Sequence, residues 1–236
     1  MSAKLIFATR ELRDAVARLK FPRPAAHVYN PLDYAWAAHE AYLQKFGRGR
    51  KRVLFLGMNP GPFGMVQTGI PFGEIAAVRD WLGITAEINP PSAQHPKRPI
   101  QGFACERSEV SGQRLWGFFA ARFAQPQEFF REHFVANYCP LAFLEKSGRN
   151  LTPDKLPMRS IAALHAACDE HLHRVVEILQ PEILVGVGDF AARRAAEVFS
   201  NSVRIGKILH PSPASPAANR GWATLAERQL KELDIW

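Results

Sequence analysis

Three polar residues, Asn59, Asn137 and His210, each stand at or near the end of an apolar run. An asparagine can orient a water molecule or read an amide edge, and a histidine can stabilise an oxyanion or carry a proton. No carboxylate stands with them in their motifs. The set is suited to hydrolysis of a bond whose leaving group departs as a stabilised anion, with no protein nucleophile.

The loop around Asn59 is rich in glycine and proline. Its three glycines let the backbone approach a ligand closely, and Pro60 and Pro62 fix backbone dihedrals and remove competing donors. The loop follows four apolar residues, 53–56, which indicate a parallel strand buried on both faces. Open α/β sheets bind ligands at the carboxyl ends of their strands. We therefore predict a site here in preference to an ordinary strand-to-helix connection.

Strands and helices alternate along the chain, which is typical of a parallel sheet with helices on both faces and predicts an α/β fold. In such a sheet the carboxyl ends of the strands share one edge, so we expect Asn59, Asn137 and His210 to converge there. The four predicted strands are residues 53–56, 133–141, 182–188 and 203–211. The predicted helices are residues 8–19, 32–45, 74–82, 108–123, 159–179, 189–199 and 215–233.

The composition limits the class of protein. The chain has 236 residues, 47% of them apolar, and a formal net charge of +8. This length suits one large domain, residues 1–236, with the helical segment of about residues 1–50 packed on it. The positive charge favours an anionic partner, of which nucleic acid is the usual one.

The sequence also lacks several features. No apolar run approaches the ~20 residues that span a membrane, and the N-terminus has no secretory core, so we expect a cytosolic protein with no membrane partner. Cys105, Cys139 and Cys168 are far apart and offer no disulfide framework, thiol pair or cluster site. The cysteines therefore give no indication of a metal cluster.

Other features are weaker candidates. The densest basic run, GRGRKR at residues 47–52, enters the first strand at its amino end, so we interpret it as a solvated connection. Lys207 is an odd number of residues from His210, so strand alternation directs it to the other face. Cys105 has no partner and is interpreted as an apolar filler. Three histidines of one helix point in different directions and are interpreted as surface residues: His165, His171 and His173.

Six motifs carry a resemblance to a known family: GMNPGPFGMVQTGIPFG, HPSPASPAANRGW, VYNPLDYAW, HPKRP, SEVSGQRLWGFF and NYCPL. Over about residues 28–222 the chain resembles the single-strand-selective monofunctional uracil-DNA glycosylases, a branch of the uracil-DNA glycosylase superfamily. The resemblance implies a three-layer fold around a four-stranded parallel sheet. It also implies a DNA repair enzyme that hydrolyses the N-glycosidic bond of uracil and of 5-oxidised uracils such as 5-hydroxymethyluracil. The product is an abasic site, and no metal or cofactor takes part.

The resemblance assigns roles to individual residues. Asn59 matches the asparagine that positions the water, and His210 matches the histidine that stabilises charge on the uracil carbonyl. The resemblance also implies four substrate-binding residues. Met58 lines the pocket and Gly61 leaves room for the base, while Phe72 stacks on the base and Asn137 pairs with its amide edge.

The segment after His210 matches the part of the family that inserts into DNA. Ala214 departs from the family, which often has a basic residue at that position, and Arg220 is the nearby basic residue that could compensate. The implied DNA-binding residues are Pro211, Ser212, Pro213, Ala214, Ser215 and Arg220.

Three alternatives stay open. The protein could bind damaged or single-stranded DNA without catalysis, or hydrolyse free nucleosides or nucleotides. It could also be a glycosylase of the superfamily with a preference shifted toward xanthine or hypoxanthine. For the leading interpretation we expect a monomer that acts on uracil in single- and double-stranded DNA. Its location would be cytoplasmic and nucleoid-associated in a bacterium, or nuclear in a eukaryote.

Overall fold

A four-stranded parallel sheet forms the centre of the protein, whose computed structural model describes residues 1–200 and 202–236. Its strands, numbered along the chain, are β2 (Val53–Gly57), β3 (His133–Asn137), β6 (Ile183–Val187) and β7 (Arg204–Ile208). They have the order β3-β2-β6-β7 in the sheet. All neighbouring strands are parallel, which confirms the predicted α/β class.

The helices cover both faces of this sheet. Because parallel crossovers are right-handed, the helices between β2 and β3 lie on one face, and those between β3, β6 and β7 lie on the other. The longer helices are α1 (Ser2–Ala17), α3 (Trp36–Phe46), α5 (Val110–Arg122), α6 (Pro126–Glu132), α7 (Met158–Leu179), α8 (Asp189–Phe199) and α10 (Trp222–Glu232). The four-residue helices are α2 (Pro31–Tyr34), α4 (Met65–Thr68) and α9 (Pro216–Asn219).

A second, antiparallel sheet was not predicted from the sequence. It has the order β1-β4-β5, with β1 at His27–Tyr29, β4 at Ala142–Leu144 and β5 at Asn150–Leu151. Strands of two or three residues are too short to show an alternating pattern. The segment 133–141 was predicted as one strand. In the structure β3 ends at Asn137, and a turn leads from it to β4.

Four helix predictions need correction. The first helix, predicted at 8–19, begins six residues earlier and is Ser2–Ala17. The closing helix is broken between α9 and α10 at Gly221, whose φ of 130° is outside the helical region. The helix predicted at 32–45 is interrupted at Ala35. Residues 77–81 form a π-helical turn within the segment predicted as regular helix. Helix α6 was not predicted, although Pro126 occupies its first turn, a position that proline favours.

The main hydrophobic core runs through the described chain from Leu5 on α1 to Ile235 near the C-terminus. A second, smaller cluster includes Tyr29 of β1, Tyr34 of α2 and Leu144 of β4. Aromatic rings pack against one face of β2, where the ring centroids of Phe55 and of Phe119 on α5 are 5.2 Å apart. On the residues that the structure describes, no helix is both long enough and apolar enough to cross a membrane.

The basic run at residues 47–52 is only partly solvated. Arg48 and Arg50 are exposed, as predicted, but Lys51 is buried and its Nζ donates to the Phe130 carbonyl. Burial lowers the pKa of Lys51 to about 8. The interpretation of the whole run as a solvated connection is therefore wrong for Lys51, because the chain turns inward there to begin β2.

The three histidines of α7 contact three separate partners, so they do point in different directions. Only His173 is exposed. His165 is half-buried against the Tyr138 ring, and the His171 Nε2 atom lies 3.3 Å from the Thr9 hydroxyl of α1. The surface interpretation is wrong for these two because α1 and the chain after β3 cover α7. Within the described residues, no cluster of three or more His, Cys, Asp or Glu side chains could hold a metal ion.

Candidate active site

A cleft of about 470 Å³ opens at the carboxyl edge of the central sheet. Its walls come from the loop after β2, the end of β3, the region of β5, the start of α5 and the segment after β7. Eight of the predicted site residues line it: Met58, Asn59, Gly61, Phe72, Asn137, His210, Ser212 and Pro213. Glu109, Ser111, Asn150 and Thr152 also line the cleft and were not predicted.

Asn59 is held in one orientation. Its Nδ2 donates to the Leu141 carbonyl at 3.2 Å, a bond that only the amide nitrogen can make. The backbone that leads into Asn59 is fixed as well, because the Tyr138 and Cys139 N–H groups donate to the carbonyls of Gly57 and Met58, both at 2.9 Å. The side-chain oxygen of Asn59, Oδ1, therefore remains available to accept a hydrogen bond from a water molecule.

Phe72 and Asn137 meet beside Gly57, the last residue of β2. A Cβ at Gly57 would lie 2.3 Å from the Asn137 Oδ1 and 2.5 Å from the Phe72 ring. The Asn137 Nδ2 lies 3.2 Å from the Met65 sulfur, which is a weak acceptor. A glycine at the strand end thus lets an aromatic face and an amide edge come close together.

The backbone at Phe72 is strained. Its φ of 53° is in the left-handed region, which a bulky residue rarely adopts. The Trp116 indole nitrogen donates to the Pro71 carbonyl at 3.2 Å, and the Glu74 N–H donates to the Phe72 carbonyl at 2.7 Å. Helix α5 also approaches closely, since a Cβ at Gly112 would lie 2.1 Å from that carbonyl. These contacts stabilise a conformation that costs about 1–3 kcal/mol, and such conformations cluster at functional sites.

His210 follows β7 and faces Phe72, with 6.0 Å between the ring centroids. Burial lowers the pKa of its imidazole to about 4, so the ring is neutral at neutral pH. Gly188, at the end of β6, has a φ of 96°, and a Cβ there would lie 2.9 Å from the His210 Cβ. The ends of β6 and β7 therefore fix where the imidazole sits.

Arg114 of α5 anchors the segment after His210. Its guanidinium donates to the Pro211 carbonyl at 3.1 Å and to the Asn219 Oδ1 at 2.9 Å. The Asn219 Nδ2 in turn donates to the Pro213 carbonyl at 2.9 Å. Ser215 begins α9 and accepts from the Ala218 N–H at 3.3 Å. The predicted insertion segment is therefore a braced loop.

The six residues predicted to contact DNA differ in exposure. Pro211 is buried, whereas Pro213, Ala214 and Arg220 are exposed. Within the described residues Arg220 makes no ion pair, which leaves its charge available. The DNA-binding roles stay predictions. Lys207 pairs with Asp189 at 2.8 Å, away from the cleft-lining residues.

Glu109 is a carboxylate in the cleft that the sequence analysis missed. It lies directly over the Asn59 loop, since a Cβ at Gly61 would be 2.4 Å from its Oε2. Burial raises the pKa of Glu109, and a hydrogen bond from the Phe63 N–H partly offsets the rise. The motifs that carry Asn59, Asn137 and His210 contain no carboxylate, but the expectation of a site without one is wrong, because the fold brings Glu109 of the SEVSGQRLWGFF motif into the cleft. The position of Glu109 directly before α5 gave no local signal of this contact with the Asn59 loop.

The fold matches a known structural class. The crystal structure of SMUG2 from Pedobacter heparinus superposes with a TM-score of 0.67 at 17% identity. The match covers 94% of this chain and 97% of that chain, and at this identity it speaks for the fold alone. The family model of the uracil DNA glycosylase superfamily matches residues 44–232.

Named relatives are closer in sequence. The single-strand selective monofunctional uracil-DNA glycosylase of Rattus norvegicus is 51% identical over 97% of this chain and 84% of its own length. Those of Mus musculus and Bos taurus are 50% and 49% identical, each over 97% of this chain. The chain therefore belongs to the uracil-DNA glycosylase superfamily, and within it to the family of single-strand selective monofunctional uracil-DNA glycosylases. The resemblance carried by the motifs is confirmed.

Proposed function

We propose that the protein is a monofunctional uracil-DNA glycosylase that hydrolyses the N-glycosidic bond of uracil in DNA and leaves an abasic site. The observation that carries this proposal is the convergence of an aromatic face, two oriented carboxamides and a neutral imidazole in one cleft. The names of the relatives support it, since each is a uracil-DNA glycosylase.

The cleft is suited to a uracil that has left the base stack. Phe72 offers a ring face for stacking. The Asn137 amide can accept from the uracil N3–H and donate to the O4 carbonyl, whereas cytosine presents the opposite pattern. Extrusion from the helix is required because the bond to be broken is inaccessible in the stack. The amide edge and the ring face together select a pyrimidine with an imide edge.

The chemistry needs a water and a stabilised leaving group. Water attacks C1′ and forms the new C–O bond, while the C1′–N1 electron pair departs onto the base as a uracil anion. The proton that the water loses neutralises this anion. Asn59 orients the water through its carbonyl oxygen, and the neutral His210 donates an N–H to the O2 carbonyl as charge develops there. A preorganised donor of this kind contributes about 10²–10³-fold in rate.

We extend the proposal to uracils oxidised at the 5-position, including 5-hydroxymethyluracil. Gly61 has no side chain to crowd the base, and the cleft carries the polar side chains of Glu109 and Ser111. These groups can accept a hydrogen bond from a substituent hydroxyl. We also propose that the protein acts as a monomer.

Uracil release from a labelled oligonucleotide with one uracil, single-stranded and duplex, tests the proposal. We expect wild-type protein to release uracil and leave an alkali-labile abasic site. Asn59→Ala and His210→Ala should each lower the rate by about 10²–10³-fold, because each removes one group that acts in the transition state. DNA affinity should change little, since neither side chain is charged at neutral pH.

His173→Ala is the matched control, because His173 is exposed on α7 and should leave release unchanged. Wild-type binding without release would support the non-catalytic alternative instead. Activity on free deoxyuridine but not on DNA would identify a nucleoside hydrolase. Faster release of hypoxanthine or xanthine than of uracil would identify a shifted lesion preference.

A further inference from the structure

A pair of arginines lies against Phe63, in the same loop that carries Asn59. The guanidinium carbon of Arg98 is 5.2 Å from the centroid of the Phe63 ring, and that of Arg107 is 4.7 Å from it. Both arginines belong to the long connection between the π-helical turn and α5. Phe63 itself follows Gly61 and Pro62, which line the cleft, so the pair sits at the cleft rim.

This arrangement is held by contacts beneath it. Gln67 is buried and joins the two loops: its Nε2 donates to the carbonyls of Pro62 at 3.0 Å and Pro99 at 3.2 Å. Its Oε1 accepts from the Gln101 N–H at 2.8 Å. The Tyr29 hydroxyl donates to the Arg98 carbonyl at 2.7 Å. The backbone that presents Arg98 is therefore fixed relative to the Asn59 loop.

The charges of the pair are not neutralised. Neither Arg98 nor Arg107 forms an ion pair within the described chain, and neither Glu106 nor Glu109 pairs with them. The Arg98 Nε is buried without a partner in the described structure, and Arg107 is exposed. By contrast, many arginines elsewhere on the surface pair with carboxylates, as Arg10 does with Glu40. The Arg98 Nη1 donates to the Lys97 carbonyl at 3.1 Å, but neither guanidinium group has a carboxylate partner, so the pair at the rim is suited to an anion.

We propose that Arg98 and Arg107, stacked on Phe63, bind backbone phosphates of the DNA strand that carries the target base. The guanidinium fork matches the phosphate oxygens bidentately, and stacking on a ring restricts the side chains before the anion arrives. The pair supplies a contact that is separate from the Pro211–Ser215 segment. This inference rests on the proposed function, because it places DNA at the same cleft.

The salt dependence of binding to a single-stranded oligonucleotide without uracil tests the inference, measured by fluorescence anisotropy. Each phosphate contact to a single strand contributes about 0.7 to the slope of log K against log salt concentration. We expect the Arg98→Ala/Arg107→Ala double variant to lower that slope by about 1.4. Arg107→Ala alone should lower it by about 0.7, and because Arg107 is exposed this variant should fold normally.

Arg48→Ala/Arg50→Ala is the matched control, because it removes the same charge from exposed positions at the opposite end of β2. Its slope should stay at the wild-type value. Phe63→Leu keeps every charge and removes the ring, so we expect it to weaken binding several-fold with little change in slope. If Arg98→Ala/Arg107→Ala and Arg48→Ala/Arg50→Ala gave the same slope of log K against log salt concentration, the inference would be overturned. The loss of positive charge would then act only in a general way.

This outcome is independent of catalysis. If wild-type protein releases no uracil while the slopes change as expected, the phosphate contact stands and the proposed function fails. If uracil is released and the slopes do not change, the proposed function stands and the contact is wrong.

Discussion

His210 and Glu109 are titratable residues of the same cleft, and burial favours the uncharged form of both. It lowers the pKa of the His210 imidazole to about 4 and raises the pKa of the Glu109 carboxyl. At neutral pH, His210 therefore enters the proposed reaction as a neutral hydrogen-bond donor. In the proposed mechanism it stabilises charge on the leaving base without a prior positive charge of its own.

A pH–rate profile checks this protonation state. A histidine with a pKa of about 4 is already neutral at pH 6.5, so we expect kcat/KM not to fall between pH 6.5 and about pH 8. Acidification toward pH 4 protonates His210 and should lower the rate. His210→Gln retains an N–H donor without that titration and serves as the comparison. A tenfold loss per pH unit above 6.5 in wild type, absent in His210→Gln, would show instead that the imidazolium is active.

At the scale of elements, the site depends on how closely two strand ends and a loop approach each other. Gly57 of β2 is paired in register with Asn137 of β3, and Phe72 packs on the same glycine. Helix α5 acts from outside the sheet, since Trp116 and Gly112 hold the Phe72 loop while Arg114 braces the segment after His210. Positions that bear no reactive group thus set the distances among those that do.

Gly57→Ala tests this dependence on close approach. The added Cβ would lie 2.3 Å from the Asn137 Oδ1 and 2.5 Å from the Phe72 ring, so both must shift. We expect kcat/KM for uracil release to fall about 10²-fold, as misplacement by about 1 Å commonly costs. The stability loss should be about 1–3 kcal/mol, as is typical of overpacking.

Gly117→Ala provides the control for that variant. Gly117 lies on α5, and a Cβ there would meet no atom within 4 Å. Because alanine is the better helix former, activity should be unchanged and stability should rise by up to about 1 kcal/mol. If Gly57→Ala also retained full activity, Phe72 and Asn137 would not need their observed positions.

At the scale of the whole molecule, the N-terminal helix and the sheet share one core. Leu5, Leu12 and Val16 of α1 are buried in the same cluster as the strands of the central sheet. Helix α1 packs against α3 and α7. We propose on this basis that residues 1–236 form a single domain that unfolds as one unit.

Urea unfolding of Leu12→Ala tests the single-domain proposal. Leu12 is 4% exposed, so its truncation should lower the free energy of unfolding of the whole protein by about 2–5 kcal/mol. The transitions followed by far-UV circular dichroism and by tryptophan fluorescence should coincide. Phe7→Ala, on the same helix but 62% exposed, should change the free energy by less than about 0.5 kcal/mol. If Leu12→Ala left the midpoint of the main urea transition unchanged, α1 would unfold independently of the rest of the chain.

Much of the architecture follows from local patterns in the sequence. Continuous apolar runs such as residues 53–56 mark strands that are buried on both faces, and the 3.6-residue spacing in α7 marks its inner side. Since parallel strands end at one edge, Asn59, Asn137 and His210 could be placed together without coordinates. The motifs around them were also long enough to identify the family.

Tertiary structure decided the contacts between segments that are distant in sequence. Glu109 lies over Gly61, and Arg98 reaches Phe63, yet neither residue carries a local pattern that names its partner. Lys51 appeared to belong to a solvated run and is buried, because the direction of the chain at that point depends on the packing of α6. Composition and periodicity report the environment averaged over an element, whereas the position of a single side chain depends on which loop the fold brings against it.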